Sequence, residues 1–303
     1  MAKKRKNQFV AAVTAIITLA GGSVLAGGFL DLQFEDATFA SPLIIDNPYW
    51  PLRPNNTGIP RVFTYVGEND DECAINQISV DDITYGGTYA LTGAAPYTGL
   101  TAVQVVDTAW VFEDVDDCDP SVLLPADDAI EELTLDWYMQ DEQQNIWYVG
   151  EASRDFTDEC PSLDEVPIGG DLGEFEEECT AGSWEAGVVG GEGDDAVTGV
   201  AGIVVPGDYP LDGDPLGNGA YYMQEVAFEA EDMAKILRQH APLVVEDDEF
   251  ADCRKVKEWN PFEHGSSVEH KWYCADGDGL VLINGVGGGP TEEEVLVDVN
   301  PPL

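Results

Sequence analysis

The chain has 303 residues, and its 59 Asp and Glu residues against 13 Lys and Arg residues give a net charge of −46. A field this negative repels nucleic acid and anionic membrane surfaces, so the composition argues strongly against both as partners. Hydrophobic residues still make up 44% of the chain, which is enough to bury a core and excludes a disordered acidic tail. The acidity either keeps the protein solvated in salt or collects divalent cations, and composition leaves both interpretations open.

The N-terminus predicts a secretory signal peptide over residues 1–26. Four basic residues at positions 3–6 precede an apolar run from Phe9 to Ala20, and small residues follow that run. The run is too short to span a membrane comfortably. We therefore expect a secreted or periplasmic protein. Its mature chain carries about −50, because the leader takes four positive charges with it.

The cysteines predict disulfides, because an exported chain meets an oxidising compartment. There are six of them: Cys73, Cys118, Cys160, Cys179, Cys253 and Cys274. We predict that neighbours pair, 73 with 118, 160 with 179 and 253 with 274, because the second and third pairs are each centred on a turn. The sequence contains no CxxC motif, which argues against a zinc ribbon or a thioredoxin-type redox site.

The mature chain divides into an N-terminal strap over 27–60 and a single β-rich domain over 61–303. The strap is rich in Pro and Asn, which prevents long regular elements, so we expect it to lie across a surface. The domain contains acidic, glycine-rich loops at 155–219, within which GSWEAG (182–187) and AGIVVP (201–206) are predicted to be short ordered segments.

Runs of β-branched and aromatic residues predict antiparallel strands through most of the domain. The clearest hairpin covers 132–151, where residues alternate with a period of two and aromatics occupy both faces, so this part of the sheet is predicted to be covered on both sides. Helical spacing of Met233, Ile236 and Leu237 predicts one short helix that begins near Glu229. The predicted strand segments are RVFTYV, ITYGGTYAL, TAVQVVDTAWVFED, VVEDD, GLVLING and EVLVDV.

A second predicted hairpin, over 252–281, contains the candidate site. If Cys253 lies opposite Cys274, the register places Glu258 directly across from Glu269. Two carboxylates in that position repel each other unless a cation lies between them. Lys271, two residues along on the same face, is one candidate for that cation, and a bound metal ion is the other.

Two acidic loops are candidate calcium sites. Their carboxylates alternate with glycine, as in tight calcium loops, and an exported protein meets calcium at high concentration. The full EF-hand pattern is absent, and an ordinary turn is the alternative interpretation. The candidate ligands are Asp212 and Asp214 in one loop and Asp276 and Asp278 in the other.

Several short segments resemble a group of exported or lipoprotein-type bacterial proteins. They are NPYWPL (47–52), DWYMQD (136–141), NIWYVGE (145–151), GSWEAG (182–187), KEWNP (257–261) and VEHKWYCADGDGLV (268–281). The resemblance implies an exported, β-rich protein and carries no activity to this chain. The chain departs from the group in lacking a lipid-attachment cysteine after the apolar run.

Together these observations predict a mainly β protein, an antiparallel meander that forms a curved sheet or half-open barrel with one short helix. The function that we expect is non-enzymatic: a binding or structural module with a concave aromatic face for a small apolar or carbohydrate-like ligand, with Ca²⁺ as the candidate ion. The alternative is a metal-dependent hydrolase built on Glu258, Glu269 and His270. Its further carboxylates would come from Asp136, Asp141 or Glu151.

Overall fold

The structure is a computed structural model, and it describes most of the chain after residue 26. The described residues are 27–40, 43–53, 59–68, 72–81, 87–113, 118–124, 129–156, 160, 179–180, 182–191, 193, 196–211, 214–228, 230–245, 248–262, 268–275, 279–286 and 293–300. The predicted signal peptide lies outside them. No helix in the described part is both long enough and apolar enough to span a membrane.

Strands dominate the described residues. In chain order they are β1 (Arg61–Glu68), β2 (Glu72–Val80), β3 (Thr88–Ala90), β4 (Thr101–Glu113), β5 (Ile130–Gln140), β6 (Ile146–Asp155), β7 (Trp184–Glu185), β8 (Val189–Gly190), β9 (Val197–Thr198), β10 (Val200–Val205), β11 (Tyr221–Met223), β12 (Glu225–Val226), β13 (Met233–Val245), β14 (Asp248–Trp259), β15 (Val268–Cys274), β16 (Gly279–Gly285) and β17 (Glu293–Asn300). A 3-10 helix covers Phe34–Asp36, and the α-helix α1 covers Pro120–Leu123.

The main sheet curves into a nearly closed barrel. Its order is β11-β13-β14-β15-β16-β17-β1-β2-β4-β5-β6-β10-β12, and all of these neighbours pair antiparallel. The two ends of this order, β11 and β12, are separated in the chain by Gln224 alone. The chain itself therefore brings the two edges together, which leaves little exposed edge. The predicted fold class is confirmed.

The predicted helix near Glu229 is wrong. Residues 233–245 form β13 instead, and Met233, Ala234 and Lys235 pair with Trp259, Glu258 and Lys257 of β14. Ala234 and Ile236 are fully buried, which is the period of two expected for a strand. Pairing with β14 outweighs the weak local helical pattern. The short helix among the described residues is α1, where the side chain of Asp119 caps the first turn.

Strand β2 is a segment that the sequence analysis did not predict. Its residues ECAINQISV include Asn76 and Gln77 in the middle, which weaken the apolar alternation. The strand nevertheless pairs along its whole length with β1 and β4. The predicted ordered segments at 182–187 and 201–206 are confirmed, since they contain β7 and most of β10.

The N-terminal strap packs more deeply than the sequence predicts. Instead of lying across a surface, it buries Ile45, Tyr49, Trp50 and Leu52 in the main core. The Trp50 ring contacts Tyr138 of β5 at a centroid distance of 5.1 Å and Tyr273 of β15 at 6.1 Å. These strands lie far apart in the sheet order, so Trp50 bridges the inside of the barrel.

The three disulfides join the pairs that the sequence predicts. The Cα atoms are 5.5 Å apart for Cys73 and Cys118, 5.7 Å for Cys160 and Cys179, and 4.0 Å for Cys253 and Cys274. The last pair lies in the predicted register of β14 and β15, in which Glu258 lies opposite Glu269. This register determines which side chains of the hairpin face the interior.

Closure of the barrel depends on a close approach at Gly202 of β10. A Cβ atom at this position would lie 2.1 Å from the carbonyl oxygen of Gln224, the residue that links the two edges. We expect Gly202→Ala to lower the free energy of unfolding by at least about 2 kcal/mol, because rigid backbone must move. Urea unfolding followed by tryptophan fluorescence measures the change.

Gly67→Ala is the matched control for this prediction. Gly67 lies in β1, and a Cβ atom at this position would have the flexible Glu294 side chain as its nearest neighbour, at 3.1 Å. We expect a change within about 0.5 kcal/mol. Equal effects of the two substitutions would show that Gly202 plays no special part in closure.

Candidate functional site

The interior of the barrel contains a polar cavity of about 260 Å³. Strands from both halves of the chain contribute to it, because alternate residues of each strand face inward. Seven carboxylic side chains line the cavity: Asp107, Glu132, Asp136, Glu151, Glu225, Asp232 and Glu258. The aromatic side chains of the lining are Trp50, Tyr65, Tyr138, Tyr148 and Tyr273. Among the described lining residues, Lys271 is the one Lys or Arg.

A bulge in β6 brings two of the acidic groups together with a tyrosine. Tyr148 and Glu151 are three residues apart, so a regular strand would place them on opposite faces. The pairing of β5 with β6 shifts by one residue at Gly150, whose φ is +145°. The extra residue is Val149, which has no counterpart in β5 and which turns both side chains inward. Glycine at the adjacent position 150 tolerates the required backbone conformation.

Asp136, Tyr148 and Glu151 form a hydrogen-bonded triad. The Tyr148 hydroxyl lies 2.5 Å from Asp136 Oδ1 and 2.8 Å from Glu151 Oε2. A hydroxyl has one proton to donate, so it can donate to only one of these oxygens. The other contact requires a protonated carboxyl group that donates to the phenol oxygen. The triad therefore holds one proton more than its hydroxyl supplies.

The pKa values of the acidic groups agree with this proton count. Burial raises the pKa of Asp136 to about 7, although hydrogen bonds from Tyr148 and Tyr138 lower it. Burial, with the neighbouring Glu225 and Asp136, raises the pKa of Glu151 well above its usual range. Burial and Asp232 do the same for the pKa of Glu225. Desolvation and mutual repulsion thus both oppose full ionisation of the cavity.

The opposite wall of the cavity carries an ion pair. Lys271 Nζ lies 2.8 Å from Glu258 Oε2 and 3.5 Å from Glu269 Oε2. Burial alone would lower the pKa of Lys271, but the two glutamates raise it well above its usual value. The Tyr273 hydroxyl lies 3.3 Å from Glu258 Oε1. Lys271 thus lies where the sequence analysis expected a cation, within reach of both Glu258 and Glu269.

Trp50 covers the cavity and has an unsatisfied donor. Its side chain is 5% exposed, and its indole Nε1–H finds no hydrogen-bond partner among the described residues. A buried donor without a partner costs about 1–3 kcal/mol.

The structure brings together four of the seven residues predicted for the polar cluster. Asp136, Glu151, Glu258 and Lys271 line the cavity. Glu269 lies at its margin with its side chain 46% exposed, where it still reaches Lys271.

Asp141 and His270 lie elsewhere. Asp141 holds the turn between β5 and β6, where it accepts hydrogen bonds from Asn145 and Trp147. His270 lies opposite Lys257 on the other face of the hairpin, because its neighbours Glu269 and Lys271 point inward. The structure therefore does not assemble the Glu258, Glu269 and His270 group that the predicted hydrolase requires.

The candidate calcium loops fall largely outside the described residues. Asp212, Asp276 and Asp278 lie outside them, while Asp214 forms an isolated β-bridge with Leu211. Within the described part of the chain, no group of three or more His, Cys, Asp and Glu side chains is arranged to hold a metal ion. Calcium binding stays a prediction.

Sequence reasoning missed several residues of the cavity. Asp107 and Glu225 occur in strands with no local motif, Tyr148 lies in the segment NIWYVGE but was given no role, and Trp50 was assigned to a surface strap. A signal was available for Asp107, since it interrupts the apolar strand TAVQVVDTAWVFE. An acidic residue on the inward face of a strand suggests a polar interior.

Asp136 should make stability depend on pH. The folded protein retains its proton up to about pH 7, whereas the ordinary pKa is 3.8. Stability therefore falls as the pH rises between these values, by as much as about 4 kcal/mol. We expect Asp136→Asn to flatten this dependence in urea unfolding at about pH 5 and about pH 8.

Glu142→Gln, at an exposed position, serves as the control and should keep the wild-type dependence. If Asp136→Asn and the wild type lost the same free energy of unfolding between the two pH values, Asp136 would already be ionised at the lower pH in the folded protein.

Comparison with known proteins identifies no family, since no protein-family model and no curated protein sequence matches the chain. A comparison of structures finds the crystal structure of a Bacteroides fragilis protein with a YmcC-like fold, for which export is inferred. The match covers 82% of this chain and 97% of that chain, with 13% identity and a TM-score of 0.36. A similarity this low transfers no function. The comparison therefore yields a distant structural neighbour, and the resemblance of the sequence segments to a group of exported proteins stays a prediction.

Proposed function

We propose that the protein is an exported binding protein whose interior cavity takes a small organic cation with one or more ammonium groups. The observation that carries the proposal is the charge of the cavity lining. Its described residues include seven carboxylic side chains and one basic side chain, that of Lys271. One lysine neutralises at most one carboxylate fully. Burial raises the pKa values of Asp107, Asp136, Glu151 and Glu225, which favours their protonated forms, and a cation that enters can replace these protons.

The shape of the site favours an organic cation over a bare metal ion. The described residues contain no group of three or more metal-ligating side chains at suitable distances. The cavity of about 260 Å³ has room for several non-hydrogen atoms. An ammonium group donates up to three hydrogen bonds, so it can serve carboxylates on different strands at once.

The aromatic lining supports the same ligand class. Tyr138 and Tyr148 stack at a centroid distance of 4.9 Å, and the Trp50 ring lies 5.1 Å from Tyr138. Ring faces attract cations, and desolvation strengthens that attraction.

The disulfides support export. Three disulfides join all six cysteines of the chain. Such bonds persist in oxidising compartments and are rare in the cytosol. This agrees with the signal peptide predicted over residues 1–26.

Titration calorimetry tests the proposal with a matched pair of probes, 1,4-diaminobutane and the neutral 1,4-butanediol. We expect the diamine to bind and the diol to give no binding heat. Binding should release protons, which buffers of different ionisation enthalpy reveal. Affinity should therefore rise as the pH increases through about 7, by up to about tenfold per pH unit for each proton released.

Two variants localise the binding. Glu225→Gln removes a carboxyl group from the cavity lining and should lower the affinity for the diamine by at least about tenfold. Glu142→Gln, which is exposed outside the cavity, should leave affinity unchanged. Circular dichroism checks that both variants are folded. Equal binding of diamine and diol, or no diamine binding at millimolar concentration, would refute the proposal.

A further inference from the structure

The surface cations of this acidic protein are concentrated on one face. After residue 26 the sequence contains nine Lys and Arg residues: Arg53, Arg61, Arg154, Lys235, Arg238, Arg254, Lys255, Lys257 and Lys271. Arg61, Arg154 and Arg254 are fully buried, and Lys271 lines the cavity. Of the remaining five, all except Arg53 lie on the neighbouring strands β13 and β14.

The strand register places these cations directly beside one another. Lys235 lies opposite Lys257, and Arg238 lies opposite Lys255. On the other side of β14, Lys257 lies opposite His270 of β15. We call this group, Lys235, Arg238, Lys255, Lys257 and His270, the basic stripe. Neighbouring strands are about 4.8 Å apart, so the four cations of β13 and β14 form a continuous positive patch, with the His270 ring at its edge on β15.

The basic stripe is electrostatically unfavourable in the free protein. Like charges directly opposite each other destabilise a sheet. Burial and then Arg238 lower the pKa of Lys255, and burial followed by Lys255 and Lys257 lowers the pKa of His270. None of the salt bridges found within the described residues involves Lys235, Arg238, Lys255 or Lys257. Such repulsion is relieved when an anion binds across the stripe.

Aromatic rings accompany the cations. Lys255 Nζ lies 5.0 Å from the centre of the Trp272 ring, and Lys257 Nζ lies 4.9 Å from that of Trp259. Trp272 is buried, whereas Trp259 is partly exposed beside Lys257. The surface therefore offers adjacent cations together with an accessible aromatic ring on a sheet.

We infer that the basic stripe is a docking surface for an acidic polysaccharide whose repeating carboxylates pair with its cations. A cluster of adjacent cations on a sheet suits a polymer that carries one anionic group per repeat, and the ring of Trp259 can pack on a sugar ring. A second copy of the chain fits less well, because a twofold contact through this face would set cations against cations. The inference does not depend on the cavity.

The charge of the whole protein sets a condition on this binding. The net charge repels a polyanion at long range, so attraction operates only where the stripe makes direct contact. Salt shortens the range of both effects to about 10 Å at 0.1 M. We therefore expect binding to persist at moderate salt, where the long-range repulsion is screened.

Binding to immobilised polygalacturonate tests the inference, with neutral dextran as the comparison polymer. The protein should bind polygalacturonate and not dextran. Lys257→Gln and Lys235→Gln should each weaken binding several-fold, and the double variant by at least about tenfold, because each removes a direct charge contact. Arg53→Gln removes an exposed cation from elsewhere and should bind like the wild type.

Further measurements separate the inference from its alternatives. Failure to bind polygalacturonate, or an equal loss in Arg53→Gln, would overturn it. Equal binding of polyglutamate would indicate an acidic protein partner instead and would also overturn it. Self-association in sedimentation velocity that Lys257→Gln abolishes would assign the stripe to a second copy. Glu225→Gln should bind polygalacturonate normally, which keeps this result independent of the cavity ligand.

Discussion

Lys271 is the one Lys or Arg among the described residues that line the cavity, and its Nζ lies 2.8 Å from Glu258 Oε2. Six further carboxylic side chains share the same interior. Buried carboxylates are costly unless they are paired or protonated, and one ammonium group cannot pair with all of them. Burial, together with the excess of acid over base inside the barrel, therefore explains the raised pKa values of Asp136, Glu151 and Glu225, and the same excess underlies the proposed preference for cations.

The architecture maintains this interior by closing around it. Gln224 links the two edge strands of the sheet, and Trp50 from the strap spans the interior between β5 and β15. Both features keep solvent from the acidic groups, and desolvation is the largest influence on their pKa values. A more open sheet would leave the same carboxylates hydrated, with pKa values near their usual range.

The hairpin of β14 and β15 carries groups of opposite charge on its two faces. Glu258 and Lys271 point into the cavity, while Lys257 and His270 lie on the other face. The alternation of a strand assigns neighbouring residues to opposite sides, so one hairpin contributes both to an acidic interior and to a basic exterior. The Cys253–Cys274 disulfide holds this register covalently.

The sequence alone predicted the β class, the three disulfide pairs and the register that sets Glu258 opposite Glu269, because strand alternation and hairpin pairing act over short distances. It did not predict β13, whose local helical pattern yields to pairing with β14. Nor did it predict the cavity. Asp107, Glu151 and Glu225 come from distant segments, and the bulge at Gly150 decides that Tyr148 and Glu151 share a face. Only closure of the barrel brings these groups within range of each other, since contacts between distant strands leave no local sequence pattern.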